Sequence, residues 1–155
     1  MKELTLVIPA KDEVECLPRV LDELKNFDCK KIIIIPETDL NTRNSVKNFD
    51  CKIITQKVGG FGRALILGIK EVETNFLCIF NADGSFDPQY LKNMYNELLN
   101  NRDFVFNSRY ENSGGSDDDT FLTLVGNKIF TFICNLLFRL NISDVLFTYV
   151  MGKTL

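Results

Sequence analysis

Short apolar runs alternate with amphipathic segments along most of the chain, and each run has the length of a buried strand. The runs are Leu4–Ile8, Ile32–Ile35, Lys52–Thr55, Phe76–Phe80 and Phe104–Phe106. The intervening segments carry apolar residues at helical spacing, so strands and helices are predicted to alternate. This order is typical of an α/β fold, in which helices cover both faces of a mostly parallel sheet.

Proline, glycine and apolar residues indicate where the helices begin and end. We expect the first helix to open at Pro18 and the 46–49 run to close a short second helix. A third helix should start at the Gly60–Gly62 turn and a fourth at Pro88. Because the carboxyl ends of parallel strands share one edge of the sheet, the loops that follow the strands should line one crevice.

The segment from Phe121 to Leu140 differs from the helices before it. Its polar residues recur every fourth position, with Lys128 beside them, and nearly all the others are apolar. The recurring positions are Thr123, Asn127, Thr131, Asn135 and Arg139. This spacing predicts an amphipathic helix within 120–141 that carries one narrow polar stripe. The polar residues argue against a membrane-spanning helix, so two placements stay open: packed into the core, or lying in a membrane interface.

Composition excludes several kinds of chemistry. The 155 residues are 45% hydrophobic, which suits one domain with a sizeable core. A net charge of −3 argues against nucleic acid as a partner. The absence of histidine removes Ser–His triads and His-ligated zinc from consideration. Five cysteines without C-x-x-C spacing indicate reduced, structural thiols. With no signal peptide evident, we expect a cytoplasmic protein.

The strand exit at residues 81–83 holds the most suggestive polar pair. Asn81 and Asp83 share one face of an extended backbone, because side chains alternate with period two. Amide and carboxylate oxygens at that place suit a hard divalent cation and the diphosphate that it neutralises. The alternative is a polar strand exit in which Asp87 caps the following helix.

Other strand exits should meet this one at the same edge. The first strand leads into Pro9–Glu13 and the second into Pro36–Asp39, so a nucleotide could lie between the loops. The Gly60–Gly62 turn adds a helix entry, where glycine lets the backbone approach a ligand and helix N–H groups favour anions. A single G-x-G is more often only a tight turn, and its value here comes from its place in this order.

Five motifs follow one another along the chain. They are Val7–Glu13, Gly60-x-Gly62-x-Ala64 with Gly68, Asn81-Ala82-Asp83, Ser108-Arg109-Tyr110 and Ser143-Asp144. In this order they resemble the V-I-P-x-x-N-E opening, glycine-rich helix start, D-x-D-type metal motif, G-S-R-Y turn and late S-D of the family-2 glycosyltransferases of GT-A fold. Within that family the resemblance is to the dolichol-phosphate mannosyltransferase-like branch. We expect residues 1–155 to form a single domain, truncated at its C-terminus, because family members usually continue with further helices.

The resemblance implies a hexosyltransferase-type enzyme that transfers a sugar from a nucleotide diphosphate sugar, with inversion at the anomeric carbon. A divalent metal, Mg²⁺ or Mn²⁺, would be held by Asp83, Asn81 and Ser85. The donor would lie against Pro9, Ala10, Glu13, Glu37, Gly60, Gly62, Ala82 and Asp83. The implied catalytic residues are Asp83 as principal metal ligand, Arg109 as partner of a phosphate, and Asp144 as base if the acceptor is a hydroxyl.

The implied acceptor is a polyprenyl phosphate or a growing surface glycan at the inner face of the membrane, with 121–140 in peripheral contact. Two departures from the family pattern are Asn81, in place of the first Asp of D-x-D, and Pro36-Glu37-Thr38, in place of D-D-G-S. They keep open an alternative, a non-catalytic nucleotide-sugar-binding or interaction module. The Gly114–Asp119 run is either a solvated loop or a lid on the acceptor side.

Overall fold

The computed structural model describes residues 1–110 and 120–154, in which strands and helices alternate as predicted. The strands are β1 (Leu4–Pro9), β2 (Lys30–Pro36), β3 (Lys52–Gln56), β4 (Phe76–Ile79), β5 (Phe104–Phe106) and β6 (Val150–Lys153). The helices are α1 (Cys16–Glu23), α2 (Leu40–Ser45), α3 (Phe61–Ile69), α4 (Tyr90–Leu99) and α5 (Phe121–Phe138), and a short 3₁₀ helix, Leu24–Asn26, follows α1. The Gly114–Asp119 run lies outside the described residues.

The strands form one sheet in the order β3-β2-β1-β4-β6-β5. The first four pair in parallel, so that Val7 of β1 lies opposite Ile32 of β2 and Ile79 of β4. Strand β6 runs antiparallel between β4 and β5. The predicted mostly parallel sheet is confirmed. The sequence did not predict β6, because a four-residue strand that contains Gly152 has little periodic signal.

Apolar layers cover both faces of the sheet. On one face Leu4, Leu6 and Ile8 of β1 pack with side chains of α1 and α4. On the other face Val7 packs with Ala64 of α3. The predicted cover of helices on both faces is confirmed, and it leaves the carboxyl edge of the sheet to the loops.

Helix α3 lies very close to the sheet at Gly68. A Cβ atom built there would be 2.5 Å from Val7 Cγ1 and 2.6 Å from Ile34 Cδ1, well inside the normal separation of carbon atoms. Glycine is therefore needed for this approach. Because Gly60 is the N-cap of the same helix, the close packing also fixes the glycine turn beside the carboxyl edge of the sheet.

The cysteines are free thiols. Burial raises the pKa of Cys29 and Cys51, and it raises the pKa of the fully buried Cys78 most. These thiols stay protonated at neutral pH, as expected for structural residues.

Three helix boundaries differ from the prediction. Helices α1 and α4 begin two residues away from the expected prolines. Helix α2 ends at Ser45, and the 46–49 run forms a turn in which Phe49 N–H donates to the Val46 carbonyl. Val46 is fully buried in the core, so its apolar character reflects burial rather than a helix end.

The amphipathic helix predicted within 120–141 is present as α5, with its apolar side turned outward. Thr120 caps its N-terminus. In the polar stripe Thr131 is 8% exposed, whereas Phe132 and Leu136 are 66% and 69% exposed. Packing of this helix into the core, one of the two placements left open, is therefore wrong. Among residues 1–110 and 120–154, no helix combines the length and apolarity needed to cross a membrane.

Candidate functional site

A cleft of about 750 Å³ opens at the carboxyl edge of β1, β2 and β4. It brings together most of the residues predicted to bind a donor or a metal: Pro9, Ala10, Glu13, Glu37, Gly60, Asn81, Ala82 and Asp83. These residues come from four separate loops, so the fold creates the site. The lining as described does not include Gly62, Ser85, Arg109 or Asp144.

Two residues that follow β2 hold the loop after β1 in place. Asp39, the N-cap of α2, accepts hydrogen bonds from Thr42 N–H at 3.1 Å and from Asp12 N–H at 2.7 Å. The buried Thr42 hydroxyl accepts a hydrogen bond from Glu13 N–H at 3.0 Å. Asp12 has a φ of 60°, in the left-handed region that few non-glycine residues other than Asn and Asp adopt. Asp39 and Thr42 thus fix the backbone that presents Glu13 to the cleft.

Two carboxyl groups of this region have pKa values shifted in opposite directions. Burial, followed by the negative charge of Asp83, raises the pKa of Glu13. For Asp39, partial burial alone would raise the pKa, but the hydrogen bonds from Asp12 and Thr42 outweigh it and lower the pKa. Asp39 therefore stays ionised as an acceptor, and Glu13 and Asp83 contribute negative potential to one space.

Residues 81–85 form a tight polar turn after β4. Asn81 Nδ2 donates to Ser85 Oγ at 3.0 Å, and Ser85 N–H donates to Asp83 Oδ1 at 2.9 Å. Gly84 has a φ of 84°, in the region that favours glycine. Because the amide nitrogen of Asn81 is engaged inside the turn, its oxygen is the atom that can serve a cation.

The oxygen donors of this turn fit a cation that is shared with a ligand. Asp83 and Asn81 line the cleft, while the Ser85 hydroxyl orients Asn81. In the part of the chain that the structure describes, no three His, Cys, Asp or Glu side chains are grouped to hold a metal by themselves. Mg²⁺ is commonly bound through one or two carboxylates together with substrate phosphates. The donor set therefore fits Mg²⁺ or Mn²⁺ bound jointly with a diphosphate.

The glycine turn before α3 forms another wall of the cleft. Gly60 has a φ of 123°, and its carbonyl accepts a hydrogen bond from Gln56 Nε2 at 2.9 Å. Gly62 lies in the first turn of α3, where an added Cβ would meet nothing within 4 Å. The backbone at Gly60 requires glycine, whereas the surroundings of Gly62 would accept a side chain.

Arg109 and Asp144 form a bidentate ion pair. Arg109 Nε and Nη2 donate to Asp144 Oδ2 and Oδ1 at 2.8 and 3.1 Å, and the Asp144 side chain is fully buried. The guanidinium carbon also lies 5.4 Å from the centroid of the Phe147 ring and 5.1 Å from that of Tyr110. A buried, doubly bonded Asp144 is suited to orienting Arg109. For the implied role as a base, this pair would have to open.

Aromatic contacts connect this ion pair to the turn after β4. Phe147 packs edge-on against Phe86 with ring centroids 5.1 Å apart, and Phe86 stacks on Tyr149 at 4.5 Å. Thr148, between two of these aromatic residues in the sequence, lines the cleft. Arg109 is therefore tied to the cleft wall through Phe147.

The cleft also contains residues that sequence reasoning did not single out: Gln56, Lys57, Gly59 and Thr148. Gln56 and Lys57 lie at the end of β3, so the rule that strand ends share one edge could have found them. Thr148 comes from just before β6, far along the chain, and no local pattern marks it.

Comparisons with known proteins agree with this architecture. Glucosyl-3-phosphoglycerate synthase from Mycobacterium tuberculosis, solved with uridine diphosphate, is 13% identical with a TM-score of 0.73, covering 97% of this chain and 56% of that one. S. aureus TarS (residues 1–349) is 16% identical with a TM-score of 0.58, covering 78% and 40%. The chain thus spans about half the length of these structures or less. None of the curated proteins matches the sequence significantly.

The structural likenesses establish a GT-A-like fold, and neither singles out the dolichol-phosphate mannosyltransferase branch. The family itself is shown by the sequence, since the profile described as Glycosyl transferase family 2 matches residues 5–154. That match includes every loop of the cleft. The chain belongs to glycosyl transferase family 2.

Proposed function

We propose that this chain forms the donor-binding part of an inverting glycosyltransferase that uses a nucleotide diphosphate sugar. The observation that carries the proposal is the convergence of four loops on one cleft, where Glu13, Glu37, Gly60 and Asp83 meet. Family membership supports it, as does the uridine diphosphate held by the mycobacterial structure of similar fold.

The residues of the cleft divide by chemistry. The nucleoside would lie against Pro9, Ala10, Glu37 and Glu13, whose backbone is held by Thr42. The backbone at Gly60 offers close approach to a diphosphate. The lysines of the lining, Lys11 and Lys57, add positive charge for the same group. Gly62 and Ala82 belong to the proposed donor set through the family resemblance.

A divalent cation is the second part of the proposal. Asp83 and the oxygen of Asn81 would hold Mg²⁺ or Mn²⁺, with Ser85 fixing the orientation of the amide. When bound, the cation supplies positive charge to the leaving diphosphate. An amide in place of a carboxylate removes one negative charge, so we expect weaker metal affinity than two carboxylates would give.

The acceptor is the third part. The acceptor oxygen forms a bond to the anomeric carbon as the bond to the diphosphate breaks, and a nucleoside diphosphate leaves. A phosphate monoester is already anionic near pH 7, so it needs no strong base. This suits a site in which Asp144 is paired with Arg109. We therefore favour a polyprenyl phosphate over a glycan hydroxyl, at the inner face of the membrane with 121–140 in peripheral contact.

A transfer assay tests the proposal. The full natural chain is incubated with UDP- and GDP-sugars, Mn²⁺ and a polyprenyl phosphate, and labelled sugar is counted in the lipid phase. We expect transfer, reduced at least about 100-fold in Asp83→Asn and unchanged in Asp28→Asn, a matched exposed site at the other edge of the sheet. Equal transfer by Asp83→Asn would remove Asp83 from the mechanism.

A second candidate is a nucleotide-sugar-binding module without turnover. Two observations favour it: Asn81 in place of a carboxylate, and a buried Asp144 closed by Arg109. Binding of the donor with no transfer to any acceptor in the panel would support this candidate, and measurable turnover would exclude it.

A further inference from the structure

Helix α5 presents a continuous apolar surface to the outside. Eight of its exposed side chains lie on one side of the helix and are all Leu, Val, Ile or Phe, with exposures of 36–80%; they are Leu122, Val125, Ile129, Phe130, Phe132, Ile133, Leu136 and Leu137. At about 100° per residue they span an arc of roughly 160°. We call these eight residues the outer arc.

Hydrogen bonds fix this orientation. Asn127 Nδ2 donates to the Tyr110 hydroxyl at 2.9 Å, and the Thr131 hydroxyl accepts from Val145 N–H at 3.3 Å. Asn135 exchanges two hydrogen bonds with the backbone of Ile142, at 2.8 and 3.2 Å. Turning the outer arc inward would break all of these bonds and leave polar groups unpaired.

The size of the outer arc is unusual for a surface that stays in water. A complete aromatic side chain has a surface of roughly 150–250 Å². On this scale the exposed surface of the eight side chains adds up to somewhat less than about 1,000 Å². The largest apolar patch of a soluble monomer is about 300–600 Å². An arc of this area therefore indicates a partner.

The chemistry of the outer arc favours lipid over protein. No residue of the arc carries a side-chain hydrogen-bonding group, and the helix satisfies its own backbone. Protein interfaces of this size carry about one hydrogen bond per 100–200 Å². An acyl-chain layer requires none, and a helix lying in the interface plane buries an apolar arc of this kind.

The charges on α5 and at its C-cap complement an anionic surface. Residues 120–143 contain no Asp or Glu, and their charged residues are Lys128 and Arg139. Both side chains are exposed, and both fall on the helix flank next to Phe132, at the border of the arc. Basic residues at this border meet anionic headgroups while the arc enters the layer below.

The exposed surface continues past the helix end. Phe104 and Phe106 of the edge strand β5 are 59% and 43% exposed. A shallow cavity joins them to Asn141 and Ile142, just beyond α5, with Arg102 also in its lining. Because Glu97 shares this lining with Arg102, the sheet edge adds aromatic side chains near one end of the outer arc but no net charge.

We propose that α5 lies flat in the surface of a membrane that contains anionic lipids, with the outer arc buried at the boundary of the acyl chains. The middle of the polar stripe, Asn127, Thr131 and Asn135, then attaches the helix to the cleft-bearing domain instead of facing water. This inference deepens the membrane part of the proposed function and does not depend on sugar transfer.

Vesicle binding by the full natural chain tests this inference. Co-sedimentation is measured with phosphatidylcholine vesicles with and without phosphatidylglycerol. We expect stronger binding to the vesicles that contain phosphatidylglycerol. In Phe132→Asp/Leu136→Asp the affinity for vesicles should fall by about 100-fold or more. Lys128→Ala/Arg139→Ala should weaken only the anionic contribution, several-fold per residue. The matched control is Leu40→Asp/Leu99→Asp, which adds the same charge at positions that are 61% and 59% exposed.

Three results would overturn the inference. The wild-type chain does not bind either vesicle, or the outer-arc variant binds as well as wild type does. The third is that the wild-type chain does not bind vesicles but forms a dimer in solution, and that Phe132→Asp/Leu136→Asp dissociates this dimer. That result would assign the outer arc to contact with a second copy of the chain. Nucleotide binding is measured on the same samples. If the wild-type chain binds vesicles but does not bind a nucleotide, the result counts against the proposed function alone.

Discussion

Helices α1 and α5 are both amphipathic, yet they meet the protein with opposite faces. Helix α1 buries Leu17, Val20 and Leu21 in the main core and leaves its polar residues outside. Helix α5 places Thr131 inside and leaves Leu136 69% exposed. One helix follows the usual arrangement of a soluble domain, and the other reverses it.

The difference shows what decides which face of a helix points inward. Periodicity gives the border between the faces, but the surroundings choose between them. The side chains of α1 meet an apolar sheet face, whereas α5 meets loop backbone and the Tyr110 hydroxyl, which pair with Asn127, Thr131 and Asn135. Each pairing removes the cost of burying a polar group.

The largest expected effect is the difference in stability loss when a leucine is truncated in α1 and in α5. Leu21→Ala in α1 opens a cavity at a 1% exposed site and should lower the free energy of unfolding by about 2–5 kcal/mol. Leu136→Ala in α5 should change it by less than about 0.5 kcal/mol. Urea denaturation measures both. Equal losses would mean that the outer arc is packed inside the protein.

The next effect concerns the polar stripe. Asn135→Leu makes α5 more apolar, yet it leaves both backbone groups of Ile142 without their partner. We expect a loss of about 1–3 kcal/mol in unfolding free energy. Asn93→Leu, on the exposed side of α4, is the matched control and should be nearly neutral. A gain in stability for Asn135→Leu would show that the stripe does not hold α5.

A smaller effect is expected where the loop into α1 is held. Asp39→Ala removes the cap of α2 and the acceptor for Asp12 N–H, at a cost of about 0.5–2 kcal/mol. Because its folded pKa is lowered, the contribution is present above the ordinary Asp pKa of about 3.9 and lost as pH falls below it. Denaturation of both proteins at several pH values should show the difference shrinking in acid. A constant difference would assign the effect to packing alone.

The smallest effect has the opposite sign. Gly126→Ala lies on the exposed side of α5, where an added Cβ meets nothing within 4 Å, so better helix propensity should add about 0.5–1 kcal/mol of stability. The same change at Gly68, against Val7 and Ile34, should destabilise the protein. Thermal unfolding of the two variants should show a higher Tm for Gly126→Ala and a lower Tm for Gly68→Ala. Destabilisation by Gly126→Ala would place another segment against the outer arc.

Much of the fold could be predicted because its signals are local. The apolar runs and the helical spacing between them lie within short windows, and the parallel order then places the strand exits at one edge. This is how Glu13, Glu37 and Asp83, far apart in sequence, were expected together, as the lining of the cleft has them.

The rest depends on contacts that no short window contains. Strand β6 pairs with β4 across more than seventy residues. Asp39 accepts a hydrogen bond from Asp12 N–H, which lies in another loop. Arg109 and Asp144 could be named from family motifs, but their mutual pairing required the structure. The face that α5 turns inward likewise required the structure, since its pattern left open both the core and a membrane interface.

Calorimetric titration of the full natural chain with UDP and with GDP tests the central claim most directly. We predict that one of them binds in the presence of Mn²⁺, and that binding weakens at least about tenfold without the metal and in Asp83→Ala, but not in Asp28→Ala. Absence of binding for both nucleotides, or binding indifferent to Asp83→Ala, would contradict the account.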